Sequence, residues 1–510
     1  MATDPAAYHH TLASSLMRYV WPAPAADLAE RARRRVVIHL IPYLFFLYIL
    51  AYLDRVNVSV AKLDMERGFS EGGLGFTDKI TGFGFGIFFW GYWILEVPST
   101  LSVLRWGARY VFVRILLLWG LSCLVIGFIG LPQANASFSW LSSSAGDATF
   151  AGVDWLARNV FRVDPGNVAD PIVRQFYFLR FMLGFFEGGF FPSVILYLSL
   201  WFSPRDRARA IATFMSAIPI SSMLGSPISG LMLNLHLFDL PGWRWIFILQ
   251  GAVPILAGFV TLFFLPNRPR DATWLPEDEK TWLIAELDRE HATRQSHGHF
   301  NWLGQAWVVL LMTGFYFCMN VTSYGLSMFM PSIIKSQSGL SATGASVVAG
   351  LPYVAGLIGM LVNGWHSDRT GERIGHVAIP LLCLSGALFL AGIFNHHGWV
   401  AVLIMILGVG TFMYAHLPAF WPIPSVFLGA AAAASAIGFI NMIGNVGGFV
   451  GPTLFAEAAE KKEFARGLFL LAPFPLGSVA IILFVGYLRR DRLAACRYPV
   501  PPADAAVELE

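Results

Sequence analysis

The chain has 510 residues, of which 56% are hydrophobic and only 13% charged, with a net charge of +3. Soluble domains carry about 25% charged residues, so an ordinary globular protein is excluded. The near balance of 35 Lys plus Arg against 32 Asp plus Glu gives no basis for nucleic-acid binding, and 4 cysteines without paired spacing give none for a disulfide framework or metal site.

Residues 1–35 hold no apolar core of signal-peptide type and end in RARRR (31–35). They are expected to form a cytoplasmic N-terminal segment rather than a cleaved leader. From there apolar runs recur to the end of the chain. By the length needed to cross a bilayer, about twelve helical spans are predicted: 36–58, 80–104, 108–130, 173–202, 210–236, 243–265, 303–333, 344–365, 377–395, 399–424, 431–456 and 467–488. The alternation of a β-barrel is absent. Residues 131–172, rich in Ser, Ala, Gly and Asp, form a long connection after the third span, with one short helix expected around Trp155 to Phe161. The charged segment 266–302 divides the spans six and six, giving halves 36–265 and 303–488 before a cytoplasmic tail at 489–510. Within it, Leu275 to Glu290 has helical spacing with charges outward. LGSPISG (224–230) and NVGGFVGP (445–452) occupy corresponding fifth and eleventh spans. Gly/Pro-interrupted spans in matching positions point to a transporter built from repeats.

Short connections set orientation through their Lys and Arg. Arg31 to Arg35, Arg105, Arg109, Arg205 to Arg209, Arg268, Arg270, Arg369, Arg373 and Arg489 to Arg492 fall on one side, whereas NHHGW (395–399) has no Lys or Arg. Both termini are therefore expected on the cytoplasmic face of the cell (inner) membrane.

An ionisable residue inside a span is costly and reads as functional. Glu187 lies near the middle of RQFYFLRFMLGFFEGGFFPSVILYLSLWF (174–202), and Arg180 is two turns earlier on the same face. The two are too far apart along the axis to pair directly, so either they share a cavity or Glu187 pairs with another span. Asp54 and Arg55 interrupt LYILAYLDRVNVSV (47–60). Hydropathy leaves them either facing a lumen or at the interface. Glu96 reads as a cap or gate contact, Arg114 as snorkelling to the interface, and His416 as structural. His9, His10, His297 and His299 lack further ligand spacing, so no metal site is expected. No nucleophile–base constellation or phosphate-binding loop appears, so an enzyme or an ATP-driven pump is not indicated.

Five stretches carry a resemblance. They are AYLDRVNVSVA (51–61), RFMLGFFEGGFFPS (180–193), WFSPRDRARA (201–210), INMIGNVGGFVGP (440–452) and GWHSDRTGERIG (364–375). The last follows the cytoplasmic loop pattern G-x-x-x-D-R-x-G-x-R through Gly364, Asp368, Arg369, Gly371 and Arg373. Together with 242–283, they make the chain similar to the major facilitator superfamily, and within it to the anion:cation symporter family. The resemblance implies an all-α polytopic membrane protein with the major-facilitator fold, about twelve helices in two six-helix halves. It implies a secondary transporter performing proton-coupled symport of a small organic anion, a carboxylate, as a monomer in the lipid bilayer with no cofactor beyond protons. A uniporter or exchanger is the alternative, and a non-transporting receptor a more distant one. By the same resemblance, Asp54 and Glu187 are proton-coupling sites. Arg55, Arg180, Tyr52, Tyr92, Trp421, Asn441 and Asn445 are on the substrate side. Two departures stand out. LSVLRWGAR (101–109) lacks the aspartate of the loop pattern, and HLPAFWPIPS (416–425) has Pro418 and Phe420 where hydroxylated residues are expected. The second tilts the expectation toward a less hydroxylated or aromatic carboxylate.

Overall fold

A computed structural model describes residues 27–295, 302–424 and 430–488; the tail at 489–510, most of the N-terminal segment, and His9, His10, His297 and His299 lie outside the described residues. Among the described residues there is no strand. The membrane helices of the first half are α1 (Leu28–Met65), α2 (Asp78–Trp106), α3 (Ala108–Ile126), α4 (Pro171–Ser199), α5 (Ala217–Met232) and α6 (Gly242–Phe264). Those of the second half are α7 (Ala306–Ser338), α8 (Ala342–Thr370), α9 (Ile374–Ile393), α10 (Trp399–Phe420), α11 (Ala436–Glu460) and α12 (Phe464–Leu488).

Eleven of these are long and apolar enough to cross a bilayer. The exception is α5, predicted over 210–236 and found to start at Ala217 with 16 residues, about 24 Å of rise. Its predicted first turns belong instead to a separate helix, Pro204–Met215. The cause is local: PRDRARA carries four charges, too many for lipid, so the chain breaks at Ser216 before the apolar stretch begins.

With twelve membrane helices, the start of α1 at Leu28 and the end of α12 at Leu488 fall at one end of the bundle, the terminus end; the 127–170 segment marks the opposite, loop end. The predicted charged helix runs Glu277–Gln295 and docks on α1, where Arg35 Nε donates to Glu279 Oε2 at 2.8 Å. Residues 131–172 hold more structure than the single short helix expected. Helices Pro132–Ser137 and Ser144–Trp155 are followed by a wide turn at Leu156–Val160. Leu141 and Phe150 are buried, and Arg174 ties the segment down by donating to Leu141 O at 2.9 Å and Asp147 Oδ1 at 2.5 Å.

Within the first half α2 lies against α4 so closely that a Cβ at Gly184 would sit 1.9 Å from Phe88 O. Small residues allow such approach in lipid, where packing rather than hydrophobicity holds helices together. Here it sets the α4 side chains Arg180 and Glu187 beside α1. The α4 helix is interrupted at Gly188–Gly189, immediately after Glu187. The halves meet mainly at the loop end. Ser226 Oγ donates to Ser346 O at 2.8 Å, Thr343 Oγ1 to Asn234 Oδ1 at 3.1 Å, and Lys62 Nζ lies 4.3 Å from the Phe329 ring centroid. Gly230 and Pro227, from the first Gly/Pro segment, sit in this seam against Ser346 and Gly350.

Candidate functional site

Adjacent residues on a helix point about 100° apart, so Asp54 and Arg55 cannot share a direction. The structure separates them accordingly. Asp54 is fully buried inside the first half. Its carboxylate accepts from Trp119 Nε1, from Asn57 Nδ2 at 3.0 Å and from Cys123 Sγ at 3.0 Å. It does not line the cavity between the halves. Arg55 does. Its Nε and Nη2 both donate to Glu187 Oε1, at 3.1 and 2.6 Å, and its Nη1 donates to the Tyr324 hydroxyl of α7 at 3.0 Å. Aromatic faces complete the seat, with the guanidinium carbon 4.7 Å from the Tyr52 ring and 5.1 Å from the Tyr92 ring. Cations over such rings gain electrostatic attraction, more so when desolvated.

Glu187 is fully buried, and its Oε2 has no hydrogen-bond partner among the described residues. Of the openings left by the sequence, the pairing to another span is the geometry found. Arg180 does not reach Glu187 or the cavity wall. Its Nε donates to Gly84 O at 3.1 Å and its Nη1 to the backbone carbonyl of Asp54 at 3.5 Å, while Nη2 has no partner among the described residues. Neither α4 side chain lines the cavity: Glu187 reaches the Arg55 side chain, Arg180 the backbone of Asp54.

The cavity encloses about 610 Å³, its mouth included, with Arg55 and Tyr52 on one wall. A smaller recess of about 270 Å³ adds Tyr92, Asn441 and Asn445. Asn445 Oδ1 accepts from Asn320 Nδ2 at 3.3 Å. Asn441 Nδ2 donates to Glu96 Oε1 at 2.8 Å, so Glu96 is a contact between halves rather than a cap; its Oε2 has no partner among the described residues. Trp421 packs 5.1 Å from the Tyr316 ring, outside the wall, and its Nε1 has no partner among the described residues. Arg114 turns inward and donates to Ser99 Oγ at 2.6 Å instead of snorkelling.

Much of the opposite wall was not singled out from sequence. Tyr316, Asn320, Ser323, Tyr324 and Ser327 all line it. They lie on α7 at spacings of three and four, one helical face, and this polar stripe in an apolar run was the signal available. Ser222 and His416 join them. Pro418 and Phe420, which suggested an apolar site, are elsewhere. Phe420 stacks 4.3 Å from Phe315, and Pro418 faces Gly364.

The loop motif lies at the terminus end. Arg373 Nη1 pairs with Asp368 Oδ1 at 2.7 Å and donates to Ser367 Oγ at 3.0 Å, while Arg369 sits 5.5 Å from the Trp365 ring. Gly371, at φ +68°, ends α8 in the left-handed conformation that glycine adopts freely. Burial pushes the Glu372 carboxyl up, but the backbone N–H groups of Gly375 and His376 and the His376 ring outweigh it and hold it below the usual range. No group of three or more His, Cys, Asp or Glu among the described residues could hold a metal.

Comparison with known proteins fits this architecture. Residues 44–452 match the family profile of the Major Facilitator Superfamily. A protein of Agrobacterium vitis assigned to tartrate transport is 36% identical over 90% of this chain and 92% of its own. A quinolone resistance transporter of Acinetobacter baumannii is 32% identical over 91% and 97%. Among solved structures, a bacterial homologue of the human lysosomal transporter Spinster, inward-facing and unoccupied, superposes with a TM-score of 0.63 at 14% identity over 92% of this chain and 99% of that one. The chain is a membrane transporter belonging to the Major Facilitator Superfamily.

Proposed function

We propose that this transporter carries a small organic anion bearing a carboxylate by proton-coupled symport, the two halves rocking about the central cavity. The observation behind this is the Arg55–Glu187 pair: Arg55 lines the cavity, and Glu187, buried behind it, holds it through one carboxylate oxygen while the other has no hydrogen-bond partner among the described residues. Guanidinium binds carboxylates through paired donors. An entering substrate carboxylate therefore competes with Glu187 for Arg55. A proton on Glu187 weakens its hold and releases the donors. The net charge is then the same in both forms: Arg⁺ with Glu⁻ when empty, Arg⁺ with neutral Glu and an anion when loaded. Keeping the buried site neutral avoids the cost of moving net charge through lipid. Loading the anion without the proton would leave a net negative site, which favours symport over uniport or exchange. Asp54 is the second proton site in this reading, linked to Arg180 through its own backbone carbonyl. The relative assigned to tartrate transport agrees with an organic acid as substrate. The Lys/Arg bias supports a terminus end in the cytoplasm, in the inner membrane. The protein acts as a monomer, with protons as the coupling ion and no cofactor.

The test is uptake by the purified protein in lipid vesicles. An imposed pH gradient, acid outside, should concentrate labelled organic acid above its equilibrium level. Exchange with internal substrate but no response to the gradient would make the protein an exchanger.

A further inference from the structure

His416 has no place in the mechanism above, yet it lines the same cavity as Arg55. The chain reaches it through a break in α10. Pro418 lacks an N–H for the helical ladder, and Leu417 N turns back to Tyr414 O at 3.1 Å instead. His416 is 2% exposed, and neither ring nitrogen has a hydrogen-bond partner among the described residues. Buried polar groups are nearly always paired, so two orphaned nitrogens on a cavity wall point to an occupant. Among the described residues no acid pairs with His416, so the ring is neutral, with one donor and one acceptor nitrogen. A carboxylate uses only the donor. A hydroxyl, itself donor and acceptor, uses either.

We propose that His416 is a specificity-determining residue that reads a hydroxyl of the transported acid while Arg55 holds its carboxylate. The inference rests on the organic-anion reading above and narrows it to hydroxylated acids. It also reverses the expectation drawn from Pro418 and Phe420, since neither side chain lines the cavity. Asn320 and Ser327 on the facing α7 stripe supply further partners for such a substrate.

The experiment uses the purified full-length protein and calorimetric binding of butanedioate and its monohydroxy and dihydroxy derivatives. Wild type should bind the dihydroxy acid about tenfold or more tightly than butanedioate, one good hydrogen bond to a buried partner. In His416→Leu that preference should shrink to less than threefold, with butanedioate affinity little changed. His416→Gln, which keeps a donor and an acceptor, should retain most of it. Equal wild-type binding of all three acids, or an equal loss for all three in His416→Leu, overturns the role of His416 and leaves the organic-anion reading standing. Wild-type binding of none of them overturns both.

Discussion

The two halves share a fold but not a chemistry. Every buried Asp, Glu, Lys and Arg among the described residues belongs to the first half or its adjoining helix, including Asp54, Arg55, Glu96, Arg180 and Glu187. The second half faces the same cavity with Asn320, Ser323, Ser327, His416 and the hydroxyls of its tyrosines. The ion pairs of the described residues each stay within one side of this divide. Near the cavity, the halves touch through hydrogen bonds to uncharged groups, as Arg55 does to Tyr324 and Glu96 to Asn441. The difference has a mechanical meaning. Separating a buried ion pair costs several kcal/mol because each charge is left uncompensated; a hydrogen bond with one neutral partner costs about 1–3 kcal/mol. Under the proposed rocking of the halves, keeping the charges together in one half would let the seam open and close without breaking a buried pair.

The largest effect should come from breaking the pair inside the charged half. Arg55→Gln leaves Glu187 alone in the core, and unfolding in detergent should show a loss of about 3–5 kcal/mol together with loss of substrate binding. The double variant Arg55→Gln/Glu187→Gln removes both charges and should regain most of that stability without regaining binding. A double variant as unstable as the single one would mean that the pair is not the source of the cost.

Glu187→Gln comes next. Its amide still accepts from Arg55 but releases no proton. Accumulation driven by a pH gradient in vesicles should fail while exchange with internal substrate continues. Continued accumulation would leave Glu187 with a structural role only. Asp54→Asn should act more mildly on binding, because the Arg55–Glu187 pair is untouched by it. Its new amide donor must face one of the three groups that donate to Asp54, at a cost of about 1–3 kcal/mol in stability. Substrate affinity should stay within threefold, and a larger change would mean that Asp54 reaches the substrate after all.

These distinctions mark what hydropathy and motif reading carry and what they lack. The spans were legible because apolar length alone defines them, and α5 was misplaced where charge ends the run before length does. For the site, a linear sequence locates Asp54 and Arg55 in a span but carries no azimuth. The two were read together, as facing either a lumen or the interface, although the 100° between neighbours on a helix already argues against a shared direction. The two-turn spacing of Arg180 and Glu187 sets one face, yet that Glu187 reaches the Arg55 side chain while Arg180 reaches backbone carbonyls is a tertiary fact of how α1, α2 and α4 pack. The α7 stripe was readable from spacing, but serines and asparagines inside spans cost too little to stand out beside charges. His416 needed the structure, because only three dimensions show that its nitrogens lack partners.

The same substitution at the far end of the second half should do least to stability, and so calibrates the comparison. Arg373 and Asp368 form an Arg–carboxylate pair at 2.7 Å, as short as that of Arg55 with Glu187, but their side chains are 24% and 73% exposed. Water solvates either partner once the other is gone, and pairs of this kind are worth about 0–1 kcal/mol. Arg373→Gln should therefore lower unfolding stability by at most about 1 kcal/mol, against several for Arg55→Gln. Its Ser367 contact is also lost, but Ser367 still donates to Glu372 O at 2.8 Å, and the turn at Gly371 keeps its backbone. Substrate affinity should not move, since the pair lies away from the cavity wall. Any change should fall on the rate of exchange in vesicles. Equal stability losses at Arg55 and Arg373 would mean that burial does not separate the two halves energetically, and the account of the neutral seam would fail with it.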